Sequence, residues 1–209
     1  MNIIVADDHE VVREGLKQIL STIPGITQIN SVSTGADLVE LIKVNDYDIA
    51  ILDISMPGKS GIEVLKEIKV LKPELPVLML SMYSEKQYAV RVLKAGASGY
   101  LTKDTASEEL ITAVEKIAGG RKYIPPDLAE KLAEEVSLES DKLLHEYLSD
   151  REFEVFRLMA GGKTVKEIAD ELLLSPKTVS TYRARIYEKM KFKSRAELTA
   201  YAIRNKLLE

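Results

Sequence analysis

The chain has no cysteine, no tryptophan and only two histidines. The missing thiols exclude a disulfide framework, thiol catalysis and cysteine-ligated zinc. His9 and His145 lie far apart in sequence, which gives no histidine metal motif, so any bound metal is expected to take oxygen ligands. No run approaches the ~20 apolar residues that a membrane-spanning helix needs, and Met1 to Ala6 lacks the basic, apolar and small-residue order of a signal peptide. A cytoplasmic protein with no membrane partner is the expectation.

What is present suffices for one large core or two small ones: 209 residues, 45% hydrophobic and 30% charged. The charge is uneven. The chain carries −4 overall, yet from Glu146 to Glu209 thirteen Lys and Arg stand against ten Asp and Glu, leaving +3 there and −7 before it. The acidic part is the poorer candidate for binding a polyanion.

From Asn2 to about Gly120, short apolar runs alternate with longer stretches of helical period. The runs are Ile3 to Ala6, Ile29 to Val32, Ile49 to Leu52, Val77 to Leu80 and Gly99 to Leu101. The intervening segments, Val12 to Leu20, Ala36 to Ile42, Ile62 to Leu71, Glu85 to Ala95 and Ser107 to Ala118, carry apolar residues at three-to-four spacing. This predicts an α/β domain of five (βα) units, a doubly wound parallel sheet over residues 1–120. Gly119 and Gly120 with Pro125 and Pro126 mark its end, and 121–146 reads as a partly helical linker. Residues 147–209 then show four helical pieces with capping signals: Ser149 with Glu152, Thr164 with Glu167, Ser175 before Pro176, and Ser194 with Glu197. A small all-α domain of four helices is expected there.

Chemistry concentrates at the strand ends. Asp7 and Asp8 follow the first strand, Asp53 the third, Ser81 the fourth and Lys103 the fifth. Ligands of open parallel sheets sit outside the carboxyl ends of strands where strand order reverses, so these groups are expected to converge. Carboxylates that converge repel one another unless a cation intervenes, and Mg2+ suits oxygen ligands and phosphate. A carboxylate, a divalent cation, an ammonium and a hydroxyl together suit phosphoryl transfer to an aspartate. Taken singly, an Asp after a strand is more often a helix cap or turn residue, and Asp8 could be only that.

Asp7, Asp8, the run Asp53, Ile54, Ser55, Met56, Pro57, Gly58, Lys59, Ser60, Gly61, and then Ser81, Tyr100 and Lys103 resemble the receiver domain of response regulators over residues 1–120. The resemblance implies Asp53 as phosphoacceptor and Mg2+ held by Asp7, Asp8, Asp53 and the carbonyl of Ser55. It implies Ser81 and Lys103 on the phosphoryl oxygens and Tyr100 as the rotating aromatic of a switch. The family often has proline after the lysine; this chain has Asp104. Bulky Met82 and Tyr83 suggest slow self-dephosphorylation by restricting water.

The segment Leu148 to Leu208 resembles the LuxR-type helix-turn-helix of the NarL/FixJ class. The resemblance rests on Glu152, on Lys166 to Ala169, on Leu174 to Val179, and on Lys189 with Met190. It implies that the helix from Pro176 to Met190 enters the major groove of double-stranded DNA. At 100° per residue Val179, Tyr182, Ile186 and Met190 form one stripe, expected to be core. Lys177, Thr178, Ser180, Thr181, Arg183, Arg185 and Lys189 are the DNA-contacting candidates, with Tyr182 ambiguous between a core ring and a phosphate-reaching hydroxyl. Some relatives place lysine where Ser180 stands. The last helix offers either a dimer face or an internal packing face through Leu198, Tyr201, Ala202 and Leu208.

The leading expectation is a phosphorylation-dependent transcription factor, not an enzyme. The family implies a sensor histidine kinase as phosphoryl source, promoter half-sites as target and a homodimer when phosphorylated, and leaves room for a contact with RNA polymerase. A Mg2+-dependent phosphohydrolase and a constitutive DNA binder with a vestigial receiver are the alternatives.

Overall fold

The computed structural model describes residues 1–82, 86–125, 129 and 143–208. They fall into two compact units, Met1–Ser137 and Leu138–Glu209. The first unit is built from β1 (Asn2–Ala6), α1 (Glu10–Ser21), β2 (Gln28–Val32), α2 (Gly35–Val44), β3 (Ile49–Asp53), α3 (Gly61–Leu71), β4 (Val77–Ser81), α4 (Lys86–Lys94), β5 (Gly99–Thr102) and α5 (Ala106–Ala118). The five strands form one parallel sheet in the order β2-β1-β3-β4-β5. This is the α/β architecture expected from the alternating pattern. Each strand extends slightly beyond its apolar run, because the backbone ladder also takes in polar end residues: Asn2, Gln28, Asp53, Ser81 and Thr102. Three of these polar ends lie at the carboxyl edge.

Alternation along the strands divides the core into two layers. Ile3, Val5, Ile49, Ile51, Leu78, Leu80 and Leu101 pack with Leu16 and Leu20 of α1 and with Leu110, Ala113, Val114 and Ile117 of α5. Ile4, Ala50, Leu52 and Met79 point to the opposite face, and they are equally buried. Strand order reverses at β1, where Ala6 pairs with Leu52. The next residues, Asp7 and Asp53, are thereby brought side by side at the edge.

The sheet does not end at Gly120. Tyr123 forms a parallel bridge with Gly99; its N–H donates to Ser98 O (2.9 Å) and its carbonyl accepts from Tyr100 N–H (3.1 Å). Its hydroxyl donates to Glu109 Oε2 (2.6 Å), and Lys116 Nζ stands 5.2 Å from the ring centroid. The chain leaving α5 thus covers the exposed edge of β5, and the first unit's packing reaches Tyr123 rather than stopping at 120. The helix expected within the linker lies mostly outside the described residues.

In the second unit a short 3-10 turn, Leu144–Tyr147, precedes α6 (Asp150–Ala160), α7 (Val165–Glu171), α8 (Pro176–Met190) and α9 (Arg195–Arg204). The four capping signals hold: Ser149, Thr164, Ser175 and Ser194 each accept a hydrogen bond from the backbone amide three residues on. Phe153, Phe156, Ile168, Val179, Ile186, Leu198 and Ala202 form the core. Leu198 and Ala202 are fully buried and pack internally, while Tyr201 and Leu208 are half-buried. His145 is buried too, with Nδ1 3.0 Å from Tyr201 Oη and its ring 5.9 Å from that of Phe153, so the packing of this unit begins before 147.

A methyl group on Gly99 would sit 2.9 Å from Tyr123 O, 3.0 Å from Leu78 Cδ1 and 3.1 Å from Ile117 Cδ1. Gly99→Val is therefore expected to cost about 1–3 kcal/mol through overpacking. Denaturant unfolding checks the cost, and hydrogen exchange should show the Tyr100 and Tyr123 amides losing protection together.

Candidate functional site: an acidic pocket and a basic helix

The register of the sheet assembles the pocket. Asp53 ends β3 opposite Leu80, Ser81 ends β4 opposite Thr102, and Lys103 follows directly. Lys103 N–H donates to Ser81 O (2.7 Å), which fixes the start of the loop after β5, and a turn through Thr102 and Thr105 continues it past Asp104. The Lys103 ammonium lies 2.7 Å from both Asp7 Oδ2 and Asp53 Oδ2. Asp7, Asp53 and Ser81 have no exposed surface. On the other side of β3, α3 begins so close that a Cβ on Gly61 would stand 2.0 Å from Asp53 O, and only glycine permits that approach.

Burial pushes the Asp53 carboxyl up to about 7, and the neighbouring Asp7 adds to the rise; Lys103 and the Ser55 backbone amide offset part of it. Burial alone would lower the Lys103 ammonium, but Asp53 and Asp7 outweigh it and hold it above its usual range. One ammonium between two buried carboxylates leaves the pocket short of positive charge. Consistent with that deficit, Asp53 Oδ1 is buried without a hydrogen-bond partner. Ligand atoms of Asp7, Asp8, His9 and Asp53 all lie within 4.8 Å of one another. Such a donor set fits a hard divalent cation.

In the second unit, Lys177, Thr181, Arg183, Ala184 and Arg185 are exposed on α8, while Thr178 and Ser180 are half-buried. Val179, Ile186 and Met190 are buried as the stripe requires. Tyr182 is only half-buried and so does not complete it. Lys189, a DNA-contacting candidate, makes an ion pair within the unit. Its Nζ donates to Glu152 Oε2 (2.6 Å), the same oxygen that accepts the Ser149 amide (2.8 Å) in the cap of α6. Glu152 is 3% exposed and held below the usual carboxylate range; burial opposes this, but the bonds from Lys189 and Ser149 prevail.

Comparison with known proteins agrees with this two-part geometry. Residues 3–115 match the family described as response regulator receiver domain, and residues 146–202 match bacterial regulatory proteins of the luxR family. The chain is a response regulator. It belongs to the NarL/FixJ class, whose members combine these two parts. It is 36% identical to Response regulator UvrY of Escherichia coli (strain K12) over 208 residues, covering 99% of this chain and 95% of that one. It is 32% identical to Response regulator GacA of Pseudomonas aeruginosa over 210 residues, covering 100% and 98%. Among solved structures it resembles RcsB from Salmonella enterica serovar Typhimurium bound to promoter rprA in the presence of phosphomimetic BeF3−. That likeness has a TM-score of 0.67 at 29% identity and covers 96% of this chain and 97% of that one. Among the described residues of the regulator, no helix is long and apolar enough to cross a membrane.

Of the residues singled out in the receiver, Asp7, Asp8, Asp53 and Lys103 come together directly, and Ser81 lies in the same edge. Tyr100 is two residues back from the Ser81 partner Thr102 on β5, paired with Met79 and 1% exposed. Met82 is 54% exposed, and Tyr83 lies outside the described residues. Two participants escaped the sequence reading. His9 N–H donates to Asp7 Oδ1 (2.9 Å), and Arg13 Nη1 donates to Asp7 O (2.7 Å). For His9, adjacency to the aspartate pair was the available signal.

The raised Asp53 carboxyl has a consequence for stability. Below about pH 4 the group is protonated whether folded or unfolded and costs nothing; the penalty grows up to about pH 7 and is complete above it. With a chelator present, Asp53→Asn should raise the Tm of the regulator at pH 8, with the gain shrinking toward pH 4. Calorimetry over that pH range reads the effect, and a Tm gain independent of pH would contradict it.

Proposed function

We propose that Asp53 accepts a phosphoryl group from a sensor histidine kinase and that this modification, through Ser81 and Tyr100, sets the DNA affinity of the second unit. The observation that carries this reading is the single ammonium of Lys103, 2.7 Å from each of the two buried carboxylates Asp7 and Asp53. Asp53 presents a carboxylate oxygen without a hydrogen-bond partner at the sheet edge. In attack on a phosphodonor, that carboxylate forms the new P–O bond and the donor's leaving group departs with the bonding electrons. Lys103 would neutralise negative charge on the transferred group, and the Ser81 hydroxyl would donate to a phosphoryl oxygen.

Mg2+ in this pocket would be held by Asp7, Asp8, Asp53 and the Ser55 carbonyl. It would supply charge neutralisation and in-line positioning of the phosphoryl oxygens. A phosphorylated Asp53 would bring about −1.5 to −2 charge and three acceptor oxygens to a site that holds one lysine, which favours drawing Ser81 inward. Tyr100 is buried beside that strand end, and its turning into vacated space supplies a two-state element.

For the output, we assign base and phosphate contacts to Lys177, Thr178, Ser180, Thr181, Arg183 and Arg185 on α8. The half-buried Tyr182 stands at the margin, its hydroxyl toward a phosphate. Lys189 acts first as the tie between α8 and α6 and only secondarily as a phosphate contact. Two copies on paired half-sites, joined when phosphorylated, would supply the affinity that one modestly charged domain lacks. The receiver, the linker and the DNA-binding domain take 1–120, 121–146 and 147–209, with the packing of the outer two reaching in to Tyr123 and His145. The reading places the regulator in the cytoplasm, with no enzymatic turnover of its own.

The test is a fluorescence-anisotropy titration of the full chain with a duplex enriched from a random pool. With a small phosphodonor and Mg2+, affinity should rise by about tenfold or more for wild type and stay flat for Asp53→Ala. Lys177→Ala should weaken binding in both states and reduce the salt slope by about one. Equal response of wild type and Asp53→Ala would overturn the reading.

A further inference from the structure

Thr105 opens α5 without capping it. The other serine and threonine N-caps of the described helices, Thr34, Ser60, Ser149, Thr164, Ser175 and Ser194, each accept a backbone amide through the side chain, whereas Thr105 makes no such bond. A hydroxyl withheld from the unpaired amides of a helix start forgoes stability there. Here it is turned back along the chain. Thr105 Oγ1 lies 3.0 Å from Thr102 Oγ1 and donates to Thr102 O (3.4 Å), and the Thr105 amide donates to Thr102 Oγ1 (3.4 Å). These contacts tie the two ends of a turn whose centre is Lys103 and Asp104, neither of them a proline that would preset φ.

Lys103 is the residue that the turn must aim. Its amide donates to Ser81 O (2.7 Å), which holds the entry to the turn against β4. Its side chain is 7% exposed and brings the ammonium to 2.7 Å from both Asp7 Oδ2 and Asp53 Oδ2. A long flexible stem turns a small tilt at Cα into a large displacement of the charge. The Ser81 bond fixes one side of the turn, and the threonine pair fixes the other. We propose that the Thr102 and Thr105 hydroxyls are positioning groups for Lys103: they hold the turn from which its ammonium reaches the carboxylates, and so set how fast Asp53 takes up a phosphoryl group. The inference rests on Asp53 being the phosphoacceptor, as proposed above. A misplaced ammonium would leave the encounter with the donor intact but weaken charge neutralisation as the P–O bond to Asp53 forms and the donor's leaving group departs.

The experiment uses the full chain with a small acyl phosphate and Mg2+, and reads the initial rate of Asp53 modification against donor concentration. Valine keeps the branched shape of threonine and lacks the hydroxyl. Thr105→Val should lower the maximal rate by about tenfold, with the half-saturating donor concentration within about twofold of wild type. Thr102→Val should do the same, and the double variant should be no slower than either single one. Thr105→Ser should restore the wild-type rate. In a Lys103→Ala background, Thr105→Val should cost nothing further, a result that a merely structural role at the start of α5 would not give. An undiminished rate in either valine variant, or the same loss with and without Lys103, would overturn the positioning role alone. Failure of the wild-type chain to modify Asp53 would overturn the phosphoacceptor and this inference with it.

Discussion

The ammonium of Lys103, set between Asp7 and Asp53, is the contact on which the first unit's chemistry depends. Two buried carboxylates at neighbouring strand ends repel each other, and one lysine compensates only part of the charge. The sheet tolerates the deficit because its core is otherwise continuous and apolar, with β3 buried along its whole length. Burial, repulsion and partial compensation together leave Asp53 with a carboxyl pushed up to about 7. A carboxylate that is costly to ionise in place is one whose charge a bound cation would offset.

A different economy governs the second unit. Glu152 accepts from the Ser149 amide and from the Lys189 ammonium, so one carboxylate closes the first turn of α6 and ties α8 to it. The ammonium fixes the C-terminal part of α8, while Ser175 caps its start and Pro176 presets its first turn. The exposed cations along it, Lys177, Arg183 and Arg185 among them, are then presented from a helix held at both ends.

Much of the fold was legible because its signals are local. Apolar runs marked the five strands, and the pairs Ser149 with Glu152 and Thr164 with Glu167 marked helix starts that the structure reproduces as capping boxes. The acidic pocket was legible because parallel sheets gather strand ends. What sequence did not reveal depends on distance in three dimensions. Tyr123 looked like linker, yet it covers the β5 edge because Gly99 lacks the Cβ that would strike its carbonyl. The Lys189 ion pair was not legible because its partner Glu152 is a full helix away. Tyr182 fell on the apolar stripe by angle but remains half-buried, since the core around α8 closes on Val179, Ile186 and Met190. His9 was set aside for want of a second histidine, whereas its neighbours in space are carboxylates.

The proposed phosphoryl transfer has Asp53 as its reacting carboxylate. The most direct measurement is to treat the full chain with a small phosphodonor, reduce any acyl phosphate with borohydride, and map the modified residue by peptide mass spectrometry with and without Mg2+. The account predicts modification at Asp53 alone, and only when the divalent cation is present. Modification at another carboxylate, or an undiminished yield at Asp53 after Mg2+ is chelated, would contradict it.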